Sequence, residues 1–157
     1  MSIVKSETIK GKLTHWVKPE YVDRVLSGDI RLHQGLKTKP LGVWISWNNG
    51  WEKWCKSESD FIAGRTCLKV KLKDGLNVWL IDSLDDFNEI WKQFNNESGL
   101  SILIDNKFWY WLQDTYHIDA VALTDKGQWT TRMDTWLYGW DVASIVVFNP
   151  NNVRFSK

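Results

Sequence analysis

The sequence predicts an α+β fold, with a mostly antiparallel, split β-sheet and flanking helices. The chain has 157 residues, 43% of them hydrophobic and 25% charged. This length suits one domain, and the composition is that of an ordinary globular protein. Segments with strand and helix patterns are both present, but they do not alternate regularly as a doubly wound parallel sheet requires. Residues 1–157 are therefore predicted to form a single domain.

Strand patterns occur in seven segments. The clearest of them, Leu41–Trp47, is rich in β-branched and aromatic residues. A turn signal, Asp74-Gly75, predicts a hairpin between two of the segments. A further short extended piece is expected at Ile30–Leu32. The predicted strands are Lys12–Val17, Leu41–Trp47, Thr66–Leu72, Asn77–Ile81, Asp119–Leu123, Val142–Phe148 and Val153–Phe155.

Helical spacing of apolar residues marks four other segments. Helix-starting residues precede or open them, such as Pro19 at a first helical position and Ser83 as an N-cap. Asp125–Gly127 is predicted to be a turn that leads into a long aromatic-rich loop, which ends at Asp141. The predicted helices are Pro19–Leu26, Trp51–Ser57, Ser83–Phe94 and Asp105–Tyr116.

The charge balance and the cysteine content argue against two functions: binding of nucleic acid by bulk charge, and binding of a metal ion through cysteine. The net charge is +1, from 20 basic and 19 acidic residues, which argues against binding nucleic acid mainly by bulk electrostatics. The run Arg65–Lys73 is typical of the solvated face of a strand, and a local basic groove is the alternative. Cys55 and Cys67 are expected to be reduced and buried, without the partners of a metal site.

No secretory signal or apolar run of the ~20 residues that a membrane span needs is visible in the sequence. A cytoplasmic protein that does not contact membranes is therefore expected. The phosphate-binding glycine motifs, the GxSxG nucleophile motif and the HExxH zinc motif are also missing. These absences argue against Rossmann, P-loop, α/β-hydrolase and zinc-protease functions.

Twelve tryptophans are the abnormal feature of the composition. Tryptophan can build a large core, or it can provide a stacking surface for a sugar, a base or a nicotinamide ring. Two predicted strands carry polar residues beside tryptophan: His15 and Trp16 in the first, and Ser46 and Trp47 at the end of the second. Each pair suits a ligand that needs one hydrogen bond and one stacking face, or each has a purely structural role.

The long loop before the last long strand contains further candidates. Arg132 could pair with a phosphate, Asp141 could polarise a ribose hydroxyl or stabilise a cation, and Gln128 and Tyr138 could contact the ligand. Asp141 could equally be an ordinary turn residue. Glu52 opens a predicted helix, so it is either a catalytic carboxylate or a partner of the helix dipole.

The order of these strands, helices and polar residues along the chain resembles that of the ADP-ribosyltransferase superfamily. LTHW followed by PEYVDRVLSGDI is similar to the opening strand and helix of that family. KPLGVWISW is similar to its second motif, and ASIVVFNPNNVRF is similar to its closing pair of strands. The resemblance covers most of the chain through short motifs.

The resemblance implies a fold of that type, with NAD+ as the cofactor. His15 would contact the nicotinamide ribose, an aromatic residue such as Trp47 would stack on the ring, and Arg132 would steady the pyrophosphate. The chain departs from the family where the catalytic glutamate is usual, because Ala143 or Ser144 stands there. Asp141 or Glu52 would replace it, or the activity is absent.

The function predicted is therefore an NAD+-dependent ADP-ribosyltransferase that modifies a host protein or nucleic acid. A phage-encoded toxin or modifier of host machinery would suit this size, with a cognate inhibitor or antitoxin as a further partner. The alternative is a non-enzymatic, tryptophan-rich binding module for nucleic acid, a glycan or a protein, in which tryptophans form the contact surface.

Overall fold

Eight strands form one continuous sheet in the computed structural model, which describes residues 2–33, 39–58, 60–98, 106–132, 137 and 140–157. The strand order is β1-β5-β6-β7-β3-β2-β4-β8, and every pairing is antiparallel except the one between β5 and β6. The strands are β1 Ile3–Lys5, β2 Leu13–Val17, β3 Val43–Trp47, β4 Thr66–Leu72, β5 Asn77–Ile81, β6 Ala120–Leu123, β7 Ser144–Val147 and β8 Val153–Ser156.

The mixed, mostly antiparallel architecture is confirmed, and the expected split into two sheets is wrong. The sheet is hydrogen-bonded throughout, but β2 and β3 share only the pairs Leu13↔Trp47 and Thr14↔Ser46. Ile30–Leu32 is not a strand, and the short β1 was not predicted. Strand β1 has only three residues, too few to show an alternating pattern.

The predicted hairpin at Asp74-Gly75 is also wrong, although the turn is present. Strands β4 and β5 pair with different neighbours, because the N-terminal segment occupies the space beside the turn. The Ser6 hydroxyl donates to the Lys73 carbonyl at 2.6 Å and accepts from the Leu76 amide at 3.1 Å. A two-residue turn signal cannot reveal that a distant segment competes for the pairing.

Five α-helices occur in the described residues: α1 Val22–Leu26, α2 Gly50–Glu58, α3 Leu84–Ser98, α4 Asn106–Tyr116 and α5 Asp125–Thr131. The predicted helix Pro19–Leu26 begins with a 3-10 turn, Pro19–Tyr21. Asp125–Gly127, predicted as a turn, instead opens α5. The Thr124 hydroxyl caps α5 by accepting from the Gly127 amide at 2.9 Å, which stabilises the first turn.

Apolar side chains cover both faces of the sheet. On one face, α3 and α4 bury an aromatic cluster that includes Trp79, Phe87 and Phe108. On the other face, Leu72 of β4 and Val153 of β8 share a cluster with Val78 of β5. Strand β5 lies far from β4 and β8 in the strand order, so the sheet must curl around this second cluster.

Cys55 is half-buried and Cys67 is exposed, and both are free thiols. The expectation that both cysteines are buried is therefore wrong for Cys67. Its side chain alternates with the buried Leu68 along β4 and so faces away from the apolar cluster.

Gly127 provides a test of how α5 docks on the sheet. A Cβ at this position would overlap the backbone carbonyl oxygen of Ile81. We expect Gly127→Ala to lower the free energy of unfolding by about 2–3 kcal/mol, because backbone atoms must shift. Urea denaturation measures this, with Lys126→Ala on the exposed side of α5 as the control, expected to change stability by less than about 0.5 kcal/mol. Equal stability of the two variants would contradict the tight contact.

Candidate functional site

A cavity of about 430 Å³ opens between α2 and the sheet face that carries Trp44 and Ser144. Aromatic rings dominate its walls, and a few polar groups accompany them. Its lining consists of His33, Lys39, Pro40, Trp44, Trp51, Trp54, Cys55, Phe61, Trp140, Asp141, Val142 and Ser144. The volume lies within the range of about 300–1,000 Å³ that is usual for small-molecule sites.

The aromatic walls are organised as two edge-to-face pairs. The ring centroids of Trp44 and Trp140 are 4.7 Å apart, and those of Trp51 and Phe61 are 5.5 Å apart. Trp51 and Trp54 share a face of α2 because they are three residues apart in a helix. Phe61 is 43% exposed, so one ring lies at the entrance of the cavity.

Glu52 lies at the centre of a hydrogen-bond network that joins α2 to β2 and β3. Its Oε1 accepts from the Thr14 hydroxyl and the Trp16 indole, each at 2.8 Å, and its Oε2 accepts from the Ser46 hydroxyl at 2.8 Å. Burial raises the pKa of Glu52, but hydrogen bonds from Trp16, its own amide, Ser46 and Thr14 together hold the pKa below its ordinary value. The carboxylate therefore stays ionised at neutral pH.

This network brings three of the predicted site residues together: Trp16, Ser46 and Glu52. None of them is among the residues that line the cavity. The Ser46 hydroxyl also accepts from the Trp51 amide at 3.1 Å. The network therefore positions the first turn of α2, and with it the tryptophans that form the cavity wall.

Ser144 fixes the Trp51 ring directly. The Trp51 indole donates to the Ser144 hydroxyl at 2.9 Å, and that hydroxyl donates to the Val142 carbonyl at 3.1 Å. The Ser144 hydroxyl thus donates its hydrogen to Val142 and accepts from Trp51, and Ala143 beside it has no functional group. Asp141 is the one carboxylate among the described residues that line the cavity.

His15 does not reach the cavity. Its Nδ1 lies 2.6 Å from the Trp44 carbonyl oxygen, which can only accept, so Nδ1 carries a hydrogen. Its ring packs against Phe155, 5.3 Å away, on the sheet face opposite Thr14 and Trp16. Burial lowers the pKa of His15, and the bond to Trp44 offsets this only in part. The His15 side chain therefore links β2 to β3 next to the last residue pair that the two strands share.

The remaining predicted residues are dispersed. Trp47 lies on the opposite sheet face and donates to the Lys10 carbonyl at 2.8 Å. Gln128 is buried in α5, and its Nε2 has no hydrogen-bond partner among the described residues. Arg132 is exposed at the end of α5, and neither residue lines the cavity. Tyr138 lies outside the described residues.

Most of the cavity wall was not predicted from the sequence as a site. The spacing of Trp51, Trp54 and Cys55 indicated one face of a helix, and that face forms part of the wall. Phe61 and Lys39 lie in irregular segments with no periodic pattern to mark them. Lys39 Nζ lies 5.5 Å from the Trp44 ring centroid, within range of a cation–π contact.

The chain matches no known protein family, no curated protein and no solved structure. Within the described ranges, no group of three or more His, Cys, Asp or Glu residues is arranged to hold a metal ion. No helix in the same part of the chain is long and apolar enough to cross a membrane. The site must therefore be interpreted from its own geometry.

The Glu52 network predicts an acid-dependent loss of stability. Because the folded pKa lies below the ordinary value of 4.5, the contribution is complete above about pH 4.5 and is lost as the pH falls through the folded pKa. We expect Glu52→Gln to cost about 2 kcal/mol at pH 7, since three donors lose an ionised acceptor at a half-buried site. The difference from wild type should shrink towards pH 3.

Urea denaturation across this pH range measures the effect. Glu58→Gln, at the exposed end of α2, is the control and should match wild type within about 0.5 kcal/mol. A constant stability difference between Glu52→Gln and wild type at all pH values would contradict the role of the charge.

Proposed function

We propose that the aromatic cavity binds the nicotinamide end of NAD+ and that the chain is an NAD+-dependent ADP-ribosyltransferase. The observation that carries the proposal is the cavity wall itself. Aromatic rings surround a space of about 430 Å³, with Asp141 as the carboxylate in its lining. An α+β fold of the ADP-ribosyltransferase type forms part of the proposal, on the sequence resemblance stated above.

The nicotinamide ring of NAD+ is planar and positively charged. Tryptophan is the aromatic side chain that attracts a cation most strongly through its face, by about 0.5–2 kcal/mol. Trp51 and Trp54 provide such rings, and Lys39, whose Nζ lies 5.5 Å from the Trp44 ring centroid, would meet a phosphate of the same ligand. The proposal therefore places the nicotinamide ring among the tryptophans and a phosphate beside Lys39.

In the proposed reaction, the bond between the ribose carbon and the nicotinamide nitrogen breaks. The electron pair goes to the ring, which leaves as neutral nicotinamide, and positive charge develops on the ribose. The Asp141 carboxylate would stabilise that charge. A nucleophile on the acceptor then bonds to the ribose carbon and loses its proton to a base or to solvent.

The positions of His15 and Glu52 change the roles expected from the resemblance. Neither residue lines the cavity. His15 is hydrogen-bonded to the Trp44 carbonyl oxygen, and Glu52 accepts from the Ser46 hydroxyl, which in turn accepts from the Trp51 amide. In the proposed function they are positioning residues, because each holds a backbone segment that carries a tryptophan of the wall. Asp141 alone keeps the proposed catalytic role.

Titration with NAD+, followed by tryptophan fluorescence, tests the binding step, and release of nicotinamide tests the reaction. We expect Trp54→Ala to weaken NAD+ binding about tenfold, as the loss of one ring of the wall implies. Trp129→Ala is the matched control, since Trp129 is 73% exposed and outside the cavity. Failure to bind NAD+ at millimolar concentration would overturn the proposal.

A second candidate function is a non-enzymatic binding module that uses the same cavity. The observation in its favour is that His15 and Glu52 do not line the cavity, which leaves Asp141 as the single carboxylate among the lining residues that the structure describes. Such a lining suits a planar or quaternary ammonium cation. Binding of NAD+ without release of nicotinamide, even with a cell lysate as the source of acceptor, would favour this function over the transferase.

A further inference from the structure

Three exposed cations cluster on an open face of the sheet at β4 and β8. Lys69 and Lys71 are two residues apart on β4, and Arg154 of β8 is the direct cross-strand partner of Lys71. Side chains two apart on a strand share a face, about 6.6–6.8 Å from each other along the strand. Lys69, Lys71 and Arg154 are all exposed, so we call these three residues the cationic surface.

The arrangement of the cationic surface is unfavourable for the isolated fold. Like charges directly opposite each other on antiparallel strands destabilise the pair. Among the described residues, none of the three cations forms a salt bridge with an acidic side chain. A like-charge pair without an acidic partner is the electrostatic complement of a polyanion that binds there.

Aromatic residues lie beside the cationic surface and connect it to the cavity. Arg65 immediately precedes β4, and its guanidinium carbon lies 4.6 Å from the Phe61 ring centroid. Phe61 is 43% exposed and belongs to the cavity wall. Trp16 of β2 is the cross-strand partner of Cys67 and shares the face of the cationic surface. A series of cationic and aromatic side chains therefore extends across the sheet surface from β8 to the cavity entrance.

We infer that the cationic surface binds single-stranded nucleic acid and leads it towards the cavity. Single strands are held by a positive groove that follows the backbone and by aromatic rings on which bases stack. Exposed cations and neighbouring aromatic rings are both present on this face, whereas a lipid surface or an acidic peptide would need the charges alone. The inference that this strand accepts ADP-ribose rests on the proposed function. The inference that the strand binds to the cationic surface does not.

Fluorescence anisotropy with a labelled single-stranded oligonucleotide, measured without NAD+, tests the inference. The variant Lys69→Gln/Lys71→Gln/Arg154→Gln should weaken binding by roughly tenfold or more. It should also reduce the slope of log K against log salt by about 2, since each phosphate contact contributes about 0.7. Lys92→Gln/Lys107→Gln/Lys126→Gln removes three exposed charges from α3, α4 and α5 and should retain wild-type binding.

Competition with inorganic polyphosphate separates base stacking from charge alone. The oligonucleotide should bind at least roughly tenfold more tightly than polyphosphate, since stacking contributes about 1–3 kcal/mol per base. Equal affinity for the two, equal weakening in both triple variants, or no binding at low salt would each overturn the inference. Oligonucleotide binding without nicotinamide release would support the cationic surface while contradicting the proposed function, so the two failures are distinguishable.

Discussion

Replacement of Phe108 by alanine should lower the free energy of unfolding by about 4 kcal/mol, the usual cost of removing a fully buried phenylalanine. Phe108 is 0% exposed. Its ring centroid lies 4.9 Å from that of Trp109 and 5.3 Å from those of Trp91 and Phe94. These large rings cannot collapse readily into the space left behind, so a cavity term adds to the lost burial.

Urea denaturation followed by tryptophan fluorescence would measure this loss. Tyr110→Ala is the control on the same helix, because Tyr110 is 56% exposed and should change stability by less than about 0.5 kcal/mol. Phe108→Leu should retain most of the stability, since it keeps much of the buried volume. A loss below about 1.5 kcal/mol in Phe108→Ala would show that α4 is not part of the central core.

Asp141→Asn should have the largest effect on the proposed reaction. We expect the rate of nicotinamide release to fall by about 10²–10³-fold, which is typical for loss of one preorganised charge at a developing cation. NAD+ affinity should change much less, because the aromatic rings that contact the ground-state ligand remain. The measurement is a comparison of the maximal rate of release with the NAD+ dissociation constant.

Asp60→Asn is the matched control for Asp141. Asp60 is exposed and adjacent to Phe61 in the chain, but it is outside the cavity lining. It should keep the wild-type rate and affinity. If Asp141→Asn releases nicotinamide as fast as wild type, Asp141 has no catalytic role and the transferase mechanism proposed above is wrong.

The individual strands and helices were largely predictable because local patterns specify them. Thr66–Leu72 and Asn77–Ile81 were predicted with the bounds that the structure has. The helix at Asp125–Thr131 was not, because the residues Asp125–Gly127 suggested a turn. Its stability depends on the Thr124 cap and on the close contact of Gly127 with Ile81, and the second of these is a tertiary feature.

Glu52 shows which part of the site the sequence could predict. Its position at the start of a helix was correct, and a carboxylate with a local structural role was one of the two alternatives. Its actual partners, Thr14, Trp16 and Ser46, are 38, 36 and 6 residues away in the chain. The sequence offers no rule that joins these residues, because only the antiparallel register of β2 with β3 and the docking of α2 against both strands place them together.

By itself, the sequence determined the α+β class, the mostly antiparallel pairing and the abundance of tryptophan. These depend on local periodicity and composition, which a single chain displays directly. Only the tertiary structure decided that the cavity lies on the sheet face of Trp44, opposite the side chains of His15 and Trp47, and that Asp141 lies in the aromatic cavity. The side of a sheet that a residue occupies, and the distant segment that covers it, depend on strand order and register, which arise from contacts between distant parts of the chain.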